Sequence, residues 1–377
     1  MKKLSLFIFI DALGWEVFQN HPNFLKGIVK DSKRLKTIFG YSSACDPSII
    51  SGKLPSEHRM WSSFYYSPQT CPYYWVKHLQ WLPNKVTDYH RVRSQLSRLI
   101  AGCHGFTGYF QIYNIPFKYL PYFDYMEKKW IWGTQRTLPV GTTIFDDLIA
   151  QKTPFYVKES QYVTDDEQWK AATQAAEKGT ISFAYLMLGK LDAVMHKYGT
   201  HHQKVEDTLK EYDAMIRALL SRCSSKYDAV DWYVFSDHGM HNVCEGYDLQ
   251  REINSLPIVY GKDYVALYDS TMARFWYLNE KGREHILKKL HTIQEGQVLS
   301  DKQLKEFGTF FPDRLYGETI FLMRSPILIS PSFMGKQVIP GMHGFHPDDP
   351  DSSAMIASNK LLPENLEQIH HIYSLFK

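Results

Sequence analysis

The sequence predicts an α/β fold with a mostly parallel central sheet flanked by helices, carrying an inserted aromatic-rich cap. Three observations point there. Four apolar runs have the length of buried strands, amphipathic helical stretches alternate with them, and one dense aromatic segment breaks the alternation. With 377 residues, 44% of them apolar and 22% charged, the chain can bury a large core as one domain with an insertion or as two domains.

The first run, "LSLFIFI" at 4–10, reads as the first buried strand. It is too short for a secretory leader and stops at Asp11 without a cleavage signal. No segment has the length of a membrane span, and a cytoplasmic location is the expectation. Residues 60–139 form the cap. They hold "SSFYYSPQTCPYYWVKHLQW" and "GFTGYFQIYNIPFKYLPYFDYMEKKWIW", rich in Pro and aromatics and without clean alternation. Such density suits a packed subdomain, a pocket lining or a lipid-facing surface. "TPFYVKE" (153–159) is the second strand. A helix follows over 166–179, ending at a Gly stop, and then the strand "ISFAYLML" (181–188). Within 201–223, Val205, Leu209, Met215, Ile216, Leu219 and Leu220 recur at helical spacing. "AVDWYVFS" (229–236) is the fourth strand. A second excursion covers 246–335, in which "RLYGETIFLMRSPILISPS" reads as a β-hairpin. The last stretch, 363–376, reads as a helix with Leu366, Ile369, Tyr373 and Phe376 on one face. The α/β core is then 1–59, 140–245 and 336–377.

A net charge of +3 with no Lys/Arg run gives no reason to expect nucleic-acid binding. Cys45, Cys71, Cys103, Cys223 and Cys244 are odd in number and scattered, which argues against a disulfide framework or a structural zinc knuckle.

In sheets of this kind, chemistry sits at the carboxyl ends of the strands. Asp11 follows the first strand. Asp192 and His196 follow the third, four residues apart and able to face one ion from a single helical turn. Asp237 and His238 follow the fourth, and His343 lies between glycines in "IPGMHGFHPDD". Each alone is an ordinary turn, cap or loop residue. Together, carboxylates and imidazoles in equal number suit a borderline divalent ion such as Zn²⁺, with Mn²⁺ the alternative. Six ligands are too many for one catalytic ion with an open position and fit two. Such a site needs a nucleophile. In "GYSSACDPSIISGKLPSEHRMW" (40–61), Ser42 or Ser43 stands near a helix start, where backbone N–H groups favour an oxyanion.

The stretches "FIDALGW", "SSACDPSIISGKLPSEH", "LDAVMHKYG", "SDHGM", "YGETIFL" and "GMHGFHPDD" together resemble the alkaline phosphatase superfamily, in its type I phosphodiesterase/nucleotide pyrophosphatase branch. The resemblance spans both ends of the chain and leaves the segment 60–140 unmatched. It implies that Ser42, ten residues before Gly52 of "SGKLPSEH", is the nucleophile, with Ser43 the alternative. It implies that Asp192, His196 and His343 hold one metal. Asp11, Asp237 and His238 would hold the other, with Ser42 bound to it. The implied reaction is two-metal hydrolysis of a phosphoric ester through a phospho-serine.

Two departures stand out. Ser replaces the family's usual Thr nucleophile, which keeps the hydroxyl. "HRMWSS" puts Arg59 after His58 and Ser63 where members place a phosphate-steadying Asn, so substrate phosphate contacts are expected from Arg59 or Ser63. An arginine there would favour a doubly charged phosphate. The expected substrate is a small-molecule or lipid-linked phosphodiester or pyrophosphate. The same scaffold also admits a phosphomonoesterase, a phosphonate hydrolase or a phosphosugar mutase. A lipid- or protein-binding scaffold is the reading without catalysis.

Overall fold

The computed structural model describes residues 2–87, 89–160 and 162–377. Along the chain run β1 (Lys3–Ile10), β2 (Asp31–Leu35), β3 (Phe64–Tyr66), β4 (Phe123–Tyr125), β5 (Phe155–Val157), β6 (Phe183–Leu188) and β7 (Ala229–Phe235). Then come β8 (His241–Asn242), β9 (Glu245–Tyr247), β10 (Tyr264–Tyr268), β11 (Met272–Tyr277), β12 (Gly296–Val298), β13 (Thr319–Met323), β14 (Ile327–Ile329), β15 (Gly341–Met342) and β16 (Ala354–Ser358).

The central sheet has the order β2-β16-β7-β1-β6-β5. β5, β6, β1 and β7 are parallel, and β16 runs antiparallel to both its neighbours. A parallel strand is covered on both faces, which is why β1 reads as an unbroken apolar run. Phe7 and Phe9 point to one face, against the helices Ser42–Ser51 and Ile144–Ala150 and the C-terminal segment. Leu4, Leu6, Ile8 and Ile10 point to the other, against the helices Asp165–Lys178 and Gln203–Cys223. Thr164 starts the first of those with a reciprocal cap to Glu167, and Gly179 ends it in the left-handed conformation.

A second core lies beside the sheet. The four-stranded sheet β10-β11-β13-β12 shares one cluster with the cap, where Phe275 and Trp276 of β11 join Phe64, Ile112 and Phe123 of the cap. Cap and second excursion thus pack together, while Ile131, Trp132 and Leu138 at the end of the cap segment join the central sheet's cluster.

Two expected elements differ. "RLYGETIFLMRSPILISPS" does not fold back on itself. β13 pairs with β11 and β12, and β14 pairs in parallel with β9. Pro326 between β13 and β14 has no N–H to give a ladder. The excursion does hold a hairpin, β10 with β11. The C-terminal stretch is helical only over Ile369–Phe376, as a 3₁₀ turn with Ile369, Ile372 and Phe376 buried. Lys36 N donates to Glu367 O, and Ile369 N donates to Lys36 O. These bonds hold 367–369 extended, outside any α-helix. All five cysteines are free thiols. No helix among the described residues is long and apolar enough to cross a membrane.

Candidate metal centre

The register of the parallel strands builds the site. Ile10 of β1 lies opposite Leu188 of β6, and Phe9 lies opposite Phe235 of β7. Neighbouring strands are about 4.8 Å apart, so the residues leaving their carboxyl ends meet. Asp11 leaves β1, and Asp237 and His238 leave β7. The helix Lys190–Tyr198, which follows β6, presents Asp192 in its first turn and His196 one turn later. His343 directly follows β15, which pairs with β8 just beyond His238. Gly239 lets this loop pass the chain beneath it, since a methyl group there would lie 2.1 Å from Asp351 O.

Two trios result. Asp192, His196 and His343 form one, and Asp11, Asp237 and His238 the other; in each, one ligand atom per residue lies within 4.8 Å of the rest. His196 Nε2 is 3.2 Å and His343 Nε2 3.8 Å from Asp192 Oδ1. His238 Nε2 is 3.0 Å from Asp237 Oδ2 and 3.6 Å from Asp11 Oδ1. The His238 and His343 rings stack at 3.7 Å, so the trios share a wall.

The donor set fits divalent cations on three grounds. Tetrahedral zinc with bonds of about 2.0–2.2 Å to N and O keeps its ligand atoms about 3.3 Å apart, and the distances above bracket that value. Asp11 Oδ1, Asp192 Oδ1 and Asp237 Oδ2 are buried and lack a hydrogen-bond donor. Finally, His196 Nδ1 donates to Gly341 O at 2.8 Å, and His238 Nδ1 donates to Gly239 O at 2.9 Å. Those bonds leave each Nε2 as the free ligand atom, the usual arrangement behind a metal-bound imidazole.

The charges agree. Burial, then the neighbouring Asp237 and Asp192, push the Asp11 carboxyl well above the usual range. Burial, with His238, His196 and His241 around it, pushes His343 well down. Burial would raise Asp237, but a proton on the adjacent His238, where no cation takes its place, outweighs it and the net shift is downward.

The helix Ser42–Ser51 begins beside the second trio. Ser42 sits in its first turn with Oγ 3.1 Å from His238 Nε2. Ser43 Oγ turns away and donates to Trp61 O at 3.3 Å. The N-cap is Tyr41, whose hydroxyl meets Thr271 Oγ1 at 2.8 Å and whose ring stands edge-on to His343. Gly52 closes the helix at φ 70°, where a side chain would meet the Tyr373 ring at 2.7 Å. That contact explains the glycine of "SGK".

Arg59 and Ser63 have partners elsewhere. The Arg59 guanidinium pairs with Asp313 and lies over the Phe311 ring. The Ser63 hydroxyl donates to Glu127 Oε1. Sequence reasoning missed Tyr41, Glu127 and Asp46. Asp46 stands one turn after Ser42 in the same helix, with Oδ1 buried and unpartnered, and the i, i+4 spacing from Ser42 was the signal for it.

Burial pushes the Glu127 carboxyl from 4.5 up to about 7, with the Ser63 hydroxyl opposing it. The folded protein therefore keeps a proton that the unfolded chain releases. Stability should fall as pH rises from about 4.5 to about 7, by up to about 3 kcal/mol. Denaturant titrations across that interval should show Glu127→Gln lacking this part of the decline. Parallel wild-type and variant profiles would contradict the assignment.

The chain matches the family model described as type I phosphodiesterase / nucleotide pyrophosphatase over residues 5–328. No curated protein sequence matches it. Among solved structures it is similar to murine ectonucleotide pyrophosphatase / phosphodiesterase 5, an inactive variant in complex with AMP. Identity is 12%, coverage is 100% of this chain and 94% of that chain, and the TM-score is 0.67. It is also similar to the human ectonucleotide pyrophosphatase / phosphodiesterase 5, at 11% identity, 99% and 93% coverage and a TM-score of 0.68. At these identities the likeness concerns the fold.

Proposed function

This chain belongs to the type I phosphodiesterase / nucleotide pyrophosphatase family of the alkaline phosphatase superfamily, and from that membership we propose that it hydrolyses phosphodiesters or pyrophosphates through a phospho-serine at Ser42. The observation that carries the reading is the Ser42 hydroxyl, 3.1 Å from His238 Nε2, in the first turn of a helix beside two carboxylate–imidazole trios.

Asp192, His196 and His343 would hold one divalent cation, and Asp11, Asp237 and His238 the other. When bound, such ions, Zn²⁺ by ligand type with Mn²⁺ the alternative, lower the proton affinity of a nearby hydroxyl and offset charge on the transferring phosphoryl group. The Ser42 hydroxyl gives up its proton to solvent and its Oγ forms a bond to phosphorus, while the bond from phosphorus to the leaving alkoxide breaks in line with it. The first-turn N–H groups of the helix favour the phosphoryl oxygens. Water then attacks the phospho-serine, the Oγ–P bond breaks, and Ser42 recovers its proton. The bond from His238 Nδ1 to Gly239 O holds the imidazole with Nε2 toward Ser42, and so sets the approach of its hydroxyl.

The Arg59–Asp313 pair bears on substrate class. An arginine committed to a carboxylate does not supply the bidentate contact that would favour a dianionic monoester. Diester hydrolysis is therefore favoured over the monoesterase reading. Turnover of bis-(p-nitrophenyl) phosphate should exceed that of p-nitrophenyl phosphate by at least tenfold in kcat/KM, about 1.4 kcal/mol of transition-state binding. Equal or reversed values would return the preference to monoesters.

A further inference from the structure

The cap carries a surface that the hydrolytic site does not use. Among the described residues thirteen large hydrophobic side chains are exposed, and seven of them fall between residues 74 and 109, a tenth of the chain. The rest are scattered singly, as on any protein surface. The cluster holds both exposed tryptophans, Trp75 at 41% and Trp81 at 76%, with Tyr74, Val86, Tyr89 and Leu99.

Their exposure is built into the packing. Tyr73 and Val76, on either side of Tyr74 and Trp75, are fully buried in the second core. The helix His90–His104 buries Arg93, Ser97, Ile100 and Ala101. It leaves Arg91, Gln95, Arg98, Leu99 and Gly102 outward, at spacings that make one face. The buried Arg93 ties this helix down by donating to the carbonyls of Tyr113 and Ile115. The apolar groups are thus held in water by a fixed frame.

Charge identifies the occupant. Besides the buried Arg93, residues 72–123 contain five bases, Lys77, Lys85, Arg91, Arg98 and Lys118, against one acid, Asp88. The whole chain is only +3, so positive charge is concentrated here. Lys77 Nζ lies 3.7 Å over the Tyr74 ring, a basic head placed on an aromatic body. Trp and Tyr favour the headgroup level of a bilayer, and Lys and Arg favour anionic headgroups. The aliphatic Val86 and Leu99 gain from an acyl boundary and have no ring to stack on a base.

We infer that the face formed by Tyr74, Trp75, Trp81, Tyr89, Leu99 and the flanking basic residues docks on an anionic lipid bilayer. It would bring the cap to a membrane surface. This inference does not depend on the reaction proposed above.

The test is sedimentation of the full chain with phosphatidylcholine vesicles, with and without phosphatidylglycerol. The expected result is binding only to the anionic vesicles, weakened by salt. Trp75→Ser with Trp81→Ser should abolish binding, and Arg91→Gln with Arg98→Gln should weaken it roughly fivefold for each charge removed. Both double variants should keep the wild-type melting temperature and turnover of a soluble ester, which separates docking from folding and catalysis. Three outcomes overturn the inference. One is wild-type protein that stays with the supernatant at low salt. Another is single-stranded RNA bound more tightly than vesicles. The third is self-association that the tryptophan variant abolishes, which would make the face an interface between two copies.

Discussion

Replacing Ser42 with alanine should lower phosphodiester turnover by roughly a thousandfold or more while leaving the melting temperature and bound metal unchanged. The size follows from the role, because without Oγ there is no atom to form the covalent intermediate. The selectivity follows from position. Ser42 and Ser43 are adjacent, but only Ser42 faces His238, whereas the Ser43 hydroxyl is spent on Trp61 O. Ser43→Ala should stay within tenfold of wild type. Acid quenching during turnover of a labelled diester should leave phosphate on a peptide containing Ser42. Label on Ser43, or unchanged turnover in Ser42→Ala, would move the nucleophile.

Chelation should abolish activity and also destabilise the fold. The physical cause is the placement of Asp11, Asp192 and Asp237, each with one carboxylate oxygen buried without a donor. Asp237 is fully buried and Asp11 lies close enough to raise its own proton affinity. A cation in each trio offsets that cost. By mass action, free metal at a thousand times its dissociation constant adds about 4 kcal/mol for each site. Denaturant titrations in excess chelator and in excess Zn²⁺ should differ by at least that much, and re-adding metal should restore both stability and turnover. Identical curves would mean that the trios hold no ion.

Much of this site is legible in the sequence, and the reason is geometric. Buried parallel strands announce themselves as apolar runs, and adjacency at their carboxyl ends follows from the sheet. The positions of Asp11, Asp192 and Asp237 just after such runs are therefore enough to bring them to one place. In the central sheet, the strands that escaped notice are those whose burial is one-sided or brief. β2 reads "DSKRL" and lies at the sheet edge, where polar residues are tolerated. β16, "AMIAS", is fully buried but only five residues long and antiparallel, so no alternating helix marks it. The C-terminal face of Leu366, Ile369, Tyr373 and Phe376 has helical spacing, yet bonds to Lys36 hold its first part extended. Arg59 shows the same limit at side-chain level. Its place after His58 suggested phosphate, and its partner Asp313 comes from 254 residues away. Such pairings are set by how excursions fold over the sheet, which local pattern does not encode.

The measurement that bears most directly on this account is anomalous diffraction at the zinc edge from crystals of the metal-loaded protein. The account predicts two peaks per chain, each about 2.0–2.2 Å from three ligand atoms. One should lie among Asp192, His196 and His343, the other among Asp11, Asp237 and His238, with Ser42 Oγ turned toward the second. A single peak, or peaks away from these six residues, would contradict it.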